Sequence, residues 1–129
     1  MLEDRNVLST AGVALKHVPC VRAAVAISQT DVELLEFKPG KRFVIEEVQV
    51  YASAVVAAAT IDVKIGGVSV LSTVVTPVAD TATIGALVAA ALRKGTSSST
   101  FTVHVTTDGS GTLTDLQVTV ALRFIDIPE

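Results

Sequence analysis

The sequence predicts an all-β fold: an antiparallel β-sandwich, jelly-roll-like, preceded by an irregular N-terminal arm. Three observations carry this. Val, Ala and Thr supply 54 of the 129 residues, while aromatics make up 4% and Trp is absent, a composition suited to pleated strands around a core of small side chains. Apolar and polar residues alternate with period two over several runs, the spacing that puts one face of a strand inside. Gly, Pro, Asp and Ser clusters separate those runs, as turns between short strands require. Half the residues are hydrophobic and 18% are charged, which excludes a disordered chain. The length suits one domain.

Residues 1–20 are read as the arm and 21–129 as the sandwich domain. Met1 to Pro19 show no sustained periodicity, yet Val7, Leu8, Val13, Leu15 and Val18 are many apolar residues for a tail left in water. They are the candidate partner-binding residues; a frayed terminus is the competing reading. From Val21 the pattern is period two, with Val21, Ala23, Val25 and Ile27 on one face and Arg22 and Ser28 on the other. Val32 to Phe37 is a second strand, closed by the turn pair Pro39-Gly40. Phe43 to Ala52 is a third. Phe43 and Ile45 share a face with Val48, Val50 and Ala52 only if one residue is inserted at Glu46-Glu47, as a β-bulge does. The alternative is a strand buried on both faces with one inward Glu, which is costly when unpaired.

Ala54 to Thr60 reads as a link. Ile61, Val63 and Ile65 alternate with Asp62 and Lys64, and Gly66-Gly67 then joins them to Val68 and Val70 in a two-residue hairpin. Thr81 to Lys94 is ambiguous. Ile84, Leu87, Val88, Ala91 and Leu92 fit helical spacing with Asp80 as N-cap and Gly95 beyond the end. As a strand, Ile84, Ala86, Val88, Ala90 and Leu92 also alternate, and the strand is preferred because it completes a sheet. Phe101, Val103 and Val105 face in, with Thr102, His104 and Thr106 out. Leu116 to Phe124 is the longest clean alternation.

The net charge is −3 and the ten basic residues are scattered, so nucleic acid is not expected as a partner. The apolar runs fall far short of the roughly 18 residues of a membrane span, and no membrane partner is expected. Met1-Leu2-Glu3-Asp4-Arg5 has no apolar segment after it and does not read as a secretory signal. The single Cys20 has no internal disulfide partner, in keeping with synthesis in a reducing cytoplasm.

Candidate chemistry is thin. His17 and Cys20 are three apart but lack any surrounding nucleophile signature, and His104 reads as a surface or interface residue. Asp108, Ser110, Thr112 and Asp115 partly mimic a calcium loop without its bidentate Glu; the competing reading is a plain Asp-Gly hairpin turn. Two His and one Cys do not make a zinc site. Glu46-Glu47 are adjacent and cannot flank one glycosidic bond from an ordinary strand. Lys64-Ile65-Gly66-Gly67 is too short for a phosphate loop. The expectation is a protein without catalytic residues, cofactor or metal.

The order of segments carries a resemblance. Phe43-Val44-Ile45-Glu46-Glu47-Val48-Gln49-Val50 is followed by Ile61-Asp62-Val63-Lys64-Ile65-Gly66-Gly67 and a Thr-rich stretch. Phe101-Thr102-Val103-His104-Val105-Thr106-Thr107-Asp108-Gly109-Ser110-Gly111 and a long alternating strand then follow. Over about two-thirds of the chain this resembles capsid decoration (cement) and head-fibre-base proteins of tailed bacteriophages. The resemblance implies a structural virion protein on the capsid surface, often a homotrimer, whose arm clamps the major capsid protein. A carbohydrate- or receptor-binding module is the alternative, although such modules normally expose aromatics for stacking.

Overall fold

A computed structural model describes residues 15–25, 30–56, 58–107 and 112–125. Ten strands follow in order: β1 (Leu15–Val25), β2 (Val32–Phe37), β3 (Phe43–Tyr51), β4 (Ala54–Val56), β5 (Ala59–Ile65), β6 (Val68–Ser69), β7 (Thr83–Ile84), β8 (Lys94–Gly95), β9 (Phe101–Thr107) and β10 (Thr112–Phe124). One sheet runs β1-β10-β3-β7, with β4 added to β10 and β8 to β3; the other runs β2-β9-β5-β6. All these strand pairs are antiparallel. The chain changes sheet at most connections, staying within one only from β3 to β4, β5 to β6 and β7 to β8. This is the all-β sandwich expected. Its first strand pairs with its last in one sheet, and its second with its last but one in the other, the order of a jelly roll.

The core lies between the sheets. Phe43, Ile45, Val48, Val50, Ile61, Val63, Phe101, Val103, Val105, Leu113, Leu116, Val118, Val120 and Leu122 are fully buried. Phe101 meets Phe37 at 5.6 Å and Phe43 at 6.3 Å between ring centroids. Aliphatic alternation on β9 and β10 fills the remainder as the sequence implied. Leu113 and Leu116 are both buried although three residues apart, and the left-handed Asp115 (φ 50°) between them resets the alternation.

The bulge expected at Glu46-Glu47 is present. Ala121 pairs with Glu47 and Leu122 with Ile45, leaving Glu46 as the extra residue. Gly66 (φ 58°) and Gly67 (φ 82°) form the turn between β5 and β6, both with positive φ as the hairpin requires.

Four expectations are corrected. The irregular lead-in does not extend to Pro19: β1 starts at Leu15, and residues 15–20 are paired with β10. The phase of β1 is also the reverse of the one expected. Val18 and Cys20 face the core opposite Val120 and Val118, while Val21 is 65% exposed. A one-residue shift in the buried set flips every side chain to the other face. Ile27, expected on the same face as Val21, lies outside the described residues. Ala54–Thr60 is more than a link, since it holds β4, paired to β10, and the start of β5. Thr81–Lys94 is neither one strand nor a helix. It contains β7, a turn of 3₁₀ helix at Ala90–Leu92, and the start of β8. The segment follows β3 along the sheet edge, donating from Gly85 N to Val48 O (2.8 Å) and accepting at Arg93 O from Ile45 N (3.0 Å). Continuing it as a helix would have left those β3 groups unpaired.

Candidate functional site

The expected site residues divide as follows. Val7, Leu8 and Val13 lie outside the described residues. Leu15 is exposed at the start of β1 and Val18 is buried in the core, so Val18 is a packing residue rather than a partner-binding one. His17 is exposed while Cys20 is buried, and their odd spacing puts them on opposite faces of β1. Burial raises the Cys20 thiol above its ordinary pKa, so it is a poor nucleophile. Asp108 and Ser110 fall outside the described residues. Asp115 accepts a hydrogen bond from Ser53 Oγ at 3.0 Å. Among the described residues no three His, Cys, Asp or Glu side chains converge on a metal position.

Two polar clusters and one apolar flank stand out. On the outer face of the β2-β9-β5-β6 sheet, Glu33, His104 and Asp62 are in register across three strands. Thr102 Oγ1 lies 2.7 Å from His104 Nε2. Asp31 Oδ1 lies 3.1 Å from His104 Nδ1 and 3.3 Å from Lys64 Nζ, though Nδ1 is not aligned as a hydrogen bond. Carboxylate, imidazole and hydroxyl thus occur in the order of a nucleophilic relay. However, β9 is flanked by β2 and β5, so its backbone N–H groups serve the ladders and offer no oxyanion donors beside Thr102. What the cluster does is fix the entry to β2. Asp31 holds a left-handed conformation (φ 47°) and its N–H donates to Thr106 Oγ1 at 2.9 Å. A hollow of about 330 Å³ nearby, lined by Thr30, Ala58, Ala59, Thr60, Thr106 and Thr107, offers hydroxyls and methyls without charge.

The second cluster is centred on Glu46. The bulge turns its carboxylate between Arg93 Nη1 (3.2 Å) and Arg123 Nε (2.8 Å). The Arg123 hydrogen bond, helped by Arg93 and opposed by partial burial, holds the Glu46 carboxyl below the usual range. Arg93 also donates to Val88 O (2.8 Å) and to Ile45 O. One carboxylate therefore ties the segment after β7 to both β3 and β10.

That segment belongs to the third feature. From Ile65 to Leu92 the chain carries a single ionisable side chain, Asp80, where the overall charged fraction would place about five. Asp80 accepts from Tyr51 Oη at 2.7 Å and raises the phenol pKa. The stretch seals one side of the sandwich. Val75 pairs with Ile61 on one sheet edge, residues from Ala79 to Gly85 run beside β3 on the other, and Leu71 pairs with Leu87 between them. Val70, Leu71, Val75 and Pro77 are buried. The outward positions should then be polar. Instead Val74 (41%), Val78 (55%), Ile84 (55%) and Leu92 (59%) are exposed. No motif or spacing marks this flank in the sequence. Its one signal there is a 28-residue stretch with a single acid.

Each aromatic side chain has a partner within the chain. Phe43 and Phe101 are buried, Phe37 packs on Phe101, Lys41 Nζ sits 5.7 Å from the Phe124 ring centre, and Tyr51 bonds to Asp80. Comparison with protein-family models, curated proteins and solved structures finds no match.

Proposed function

We propose that this protein is a structural component of a virion: a homo-oligomer, with a trimer as the expected form, that binds the outer capsid surface through the major capsid protein and stabilises or decorates it. The observation that carries the reading is the exposed, nearly charge-free flank on a tightly cored sandwich. Charge depletion marks the cores of lasting interfaces, and an apolar surface of this kind is a liability for a free monomer. The resemblance to phage decoration proteins gives the capsid its place in the proposal. A sugar-binding module is less well supported, since Phe43 and Phe101 are buried, Phe37 packs on Phe101 and Lys41 lies over Phe124, which leaves few rings for stacking.

The test is presence on particles. Virions of the virus that encodes this chain, purified on a density gradient, should contain it at a fixed ratio to the major capsid protein. Antibody raised against the folded protein should label their exterior. Its absence from purified particles overturns the reading.

A further inference from the structure

The nearly charge-free flank is suited to a second copy of itself. We infer that Val74, Val78, Ile84 and Leu92 form the surface through which copies of this chain associate, each copy presenting the same flank beside a common symmetry axis. The inference deepens the reading above and rests on its homo-oligomeric half, not on its virion half.

Three observations support a second copy as the occupant. The first is charge. The chain is acidic overall at −3, and the outer face of the β2 sheet carries Asp31, Glu33, Glu36 and Asp62 against Lys64 and His104. Two copies meeting there would set acids against acids. The flank from Ile65 to Leu92 has a single charged group, Asp80, which accepts a hydrogen bond from Tyr51, so copies meeting there face one acid each instead of four. A partner chosen by opposite charge would find nothing on it to recognise.

The second is extent. Fifteen residues between Ser72 and Leu92 are exposed, a large part of the roughly 20–30 residues that each side of a standard interface supplies. Only Asp80 among them is charged, which is the charge depletion of an interface core, and Val74, Val78, Ile84 and Leu92 are their large apolar side chains.

The third is elimination of the opposite side, where β1 and β2 are the sheet edges. Pro19 lies within β1, and Lys16 and Arg22 occupy core-phase positions opposite Leu122 and Leu116 while staying exposed. β2 carries a bulge between Glu33 and Leu35. Proline, inward-phase charge and bulges are the devices that prevent strand-to-strand association. The side with open edges is thus guarded against pairing. The flank that exposes Val74, Val78, Ile84 and Leu92 holds no Lys, Arg or Glu to guard it.

Symmetry supplies the test. In a self-contact every substitution appears on each copy, so Val78→Asp with Ile84→Asp places acids against acids, and Val78→Lys with Ile84→Lys places bases against bases. Light scattering of the wild type should give a multiple of 13.4 kDa. Each double variant should run as a monomer, with association weakened at least about tenfold, while its far-UV circular dichroism is unchanged. An equimolar mixture of the acidic and basic variants should associate again, because each unlike contact sets an acid against a base; a trimer, in which two of the three copies are alike, should regain only part of its stability. Val74→Asp with Leu92→Asp provides an independent pair should the first lose its fold. A monomeric wild type overturns both this inference and the self-association proposed above. An oligomeric wild type whose folded variants remain oligomeric overturns this inference alone, as does a mixture that stays monomeric. Presence on virions is read separately and is unaffected by any of these outcomes.

Discussion

Three single residues carry sharp expectations, two through backbone geometry and one through packing. Gly66 and Gly67 have positive φ with open space where a Cβ would point, so steric room is not the constraint there. A β-branched residue resists the left-handed conformation itself. Gly66→Val or Gly67→Val should each lower stability by about 1 kcal/mol or more, read as a lower urea midpoint. Gly95 is the contrasting case, because a Cβ there would overlap the Phe43 ring. Phe43 is fully buried and has little room to yield, so Gly95→Ala should cost about 1–3 kcal/mol through overpacking. A fourth residue, Glu46, links charge to stability. Its folded pKa lies below the ordinary 4.5, so its contribution is present above that value and fades as pH falls through the folded one. The group is partly exposed, so the Arg pairs contribute only about 1 kcal/mol. Glu46→Gln should reduce the urea midpoint at neutral pH. The difference from wild type should vanish in acid, where the wild-type side chain is also neutral.

Among the strands, β1 decides where the molecule can be cut. Val18 and Cys20 pack on the core and β1 pairs with β10 from Arg123 back to Leu113. Removing residues 1–14 should leave the sandwich folded. Removing residues through Pro19 deletes the first half of the strand, uncovers the β10 backbone from Thr119 to Arg123, and should destabilise the domain or make it aggregate. Urea denaturation of both truncations, with the soluble fraction recorded, checks the pair; equal stability would contradict the packing role of β1. The bulge in β3 was legible in the phase slip between Ile45 and Val48, because only an inserted residue keeps both inside. The ragged course of Thr81–Lys94 was not, since its period fits either regular element and its path is set by the β3 edge it follows.

For the molecule as a whole, the two sides of the sandwich differ in charge: the β1 and β2 edges carry Lys16, Arg22, Glu33 and Glu36 beside the exposed Leu15 and Val21, whereas Ile65 to Leu92 carries only Asp80. Screening weakens contacts between exposed charges and leaves apolar burial intact. Self-association through the flank should therefore persist when salt is raised from about 0.05 to 0.5 M. Sedimentation velocity at both concentrations measures this, and dissociation in high salt would point to a charged contact instead.

Fold class, the phases of β3, β5, β9 and β10, the β5–β6 turn and the bulge at Glu46 are all written in the order of residues. They follow from local periodicity and backbone preference, which neighbouring residues carry among themselves. The phase of β1, where Val18 and Cys20 rather than Val21 find the core, and the path of the segment after β6 are settled only when the sheets pack. Both depend on which surface waits across the sandwich. The same holds for the candidate surface. Val74, Val78, Ile84 and Leu92 have the side chains of core residues, and it is the burial of Leu71, Val75 and Pro77 among them that turns them outward.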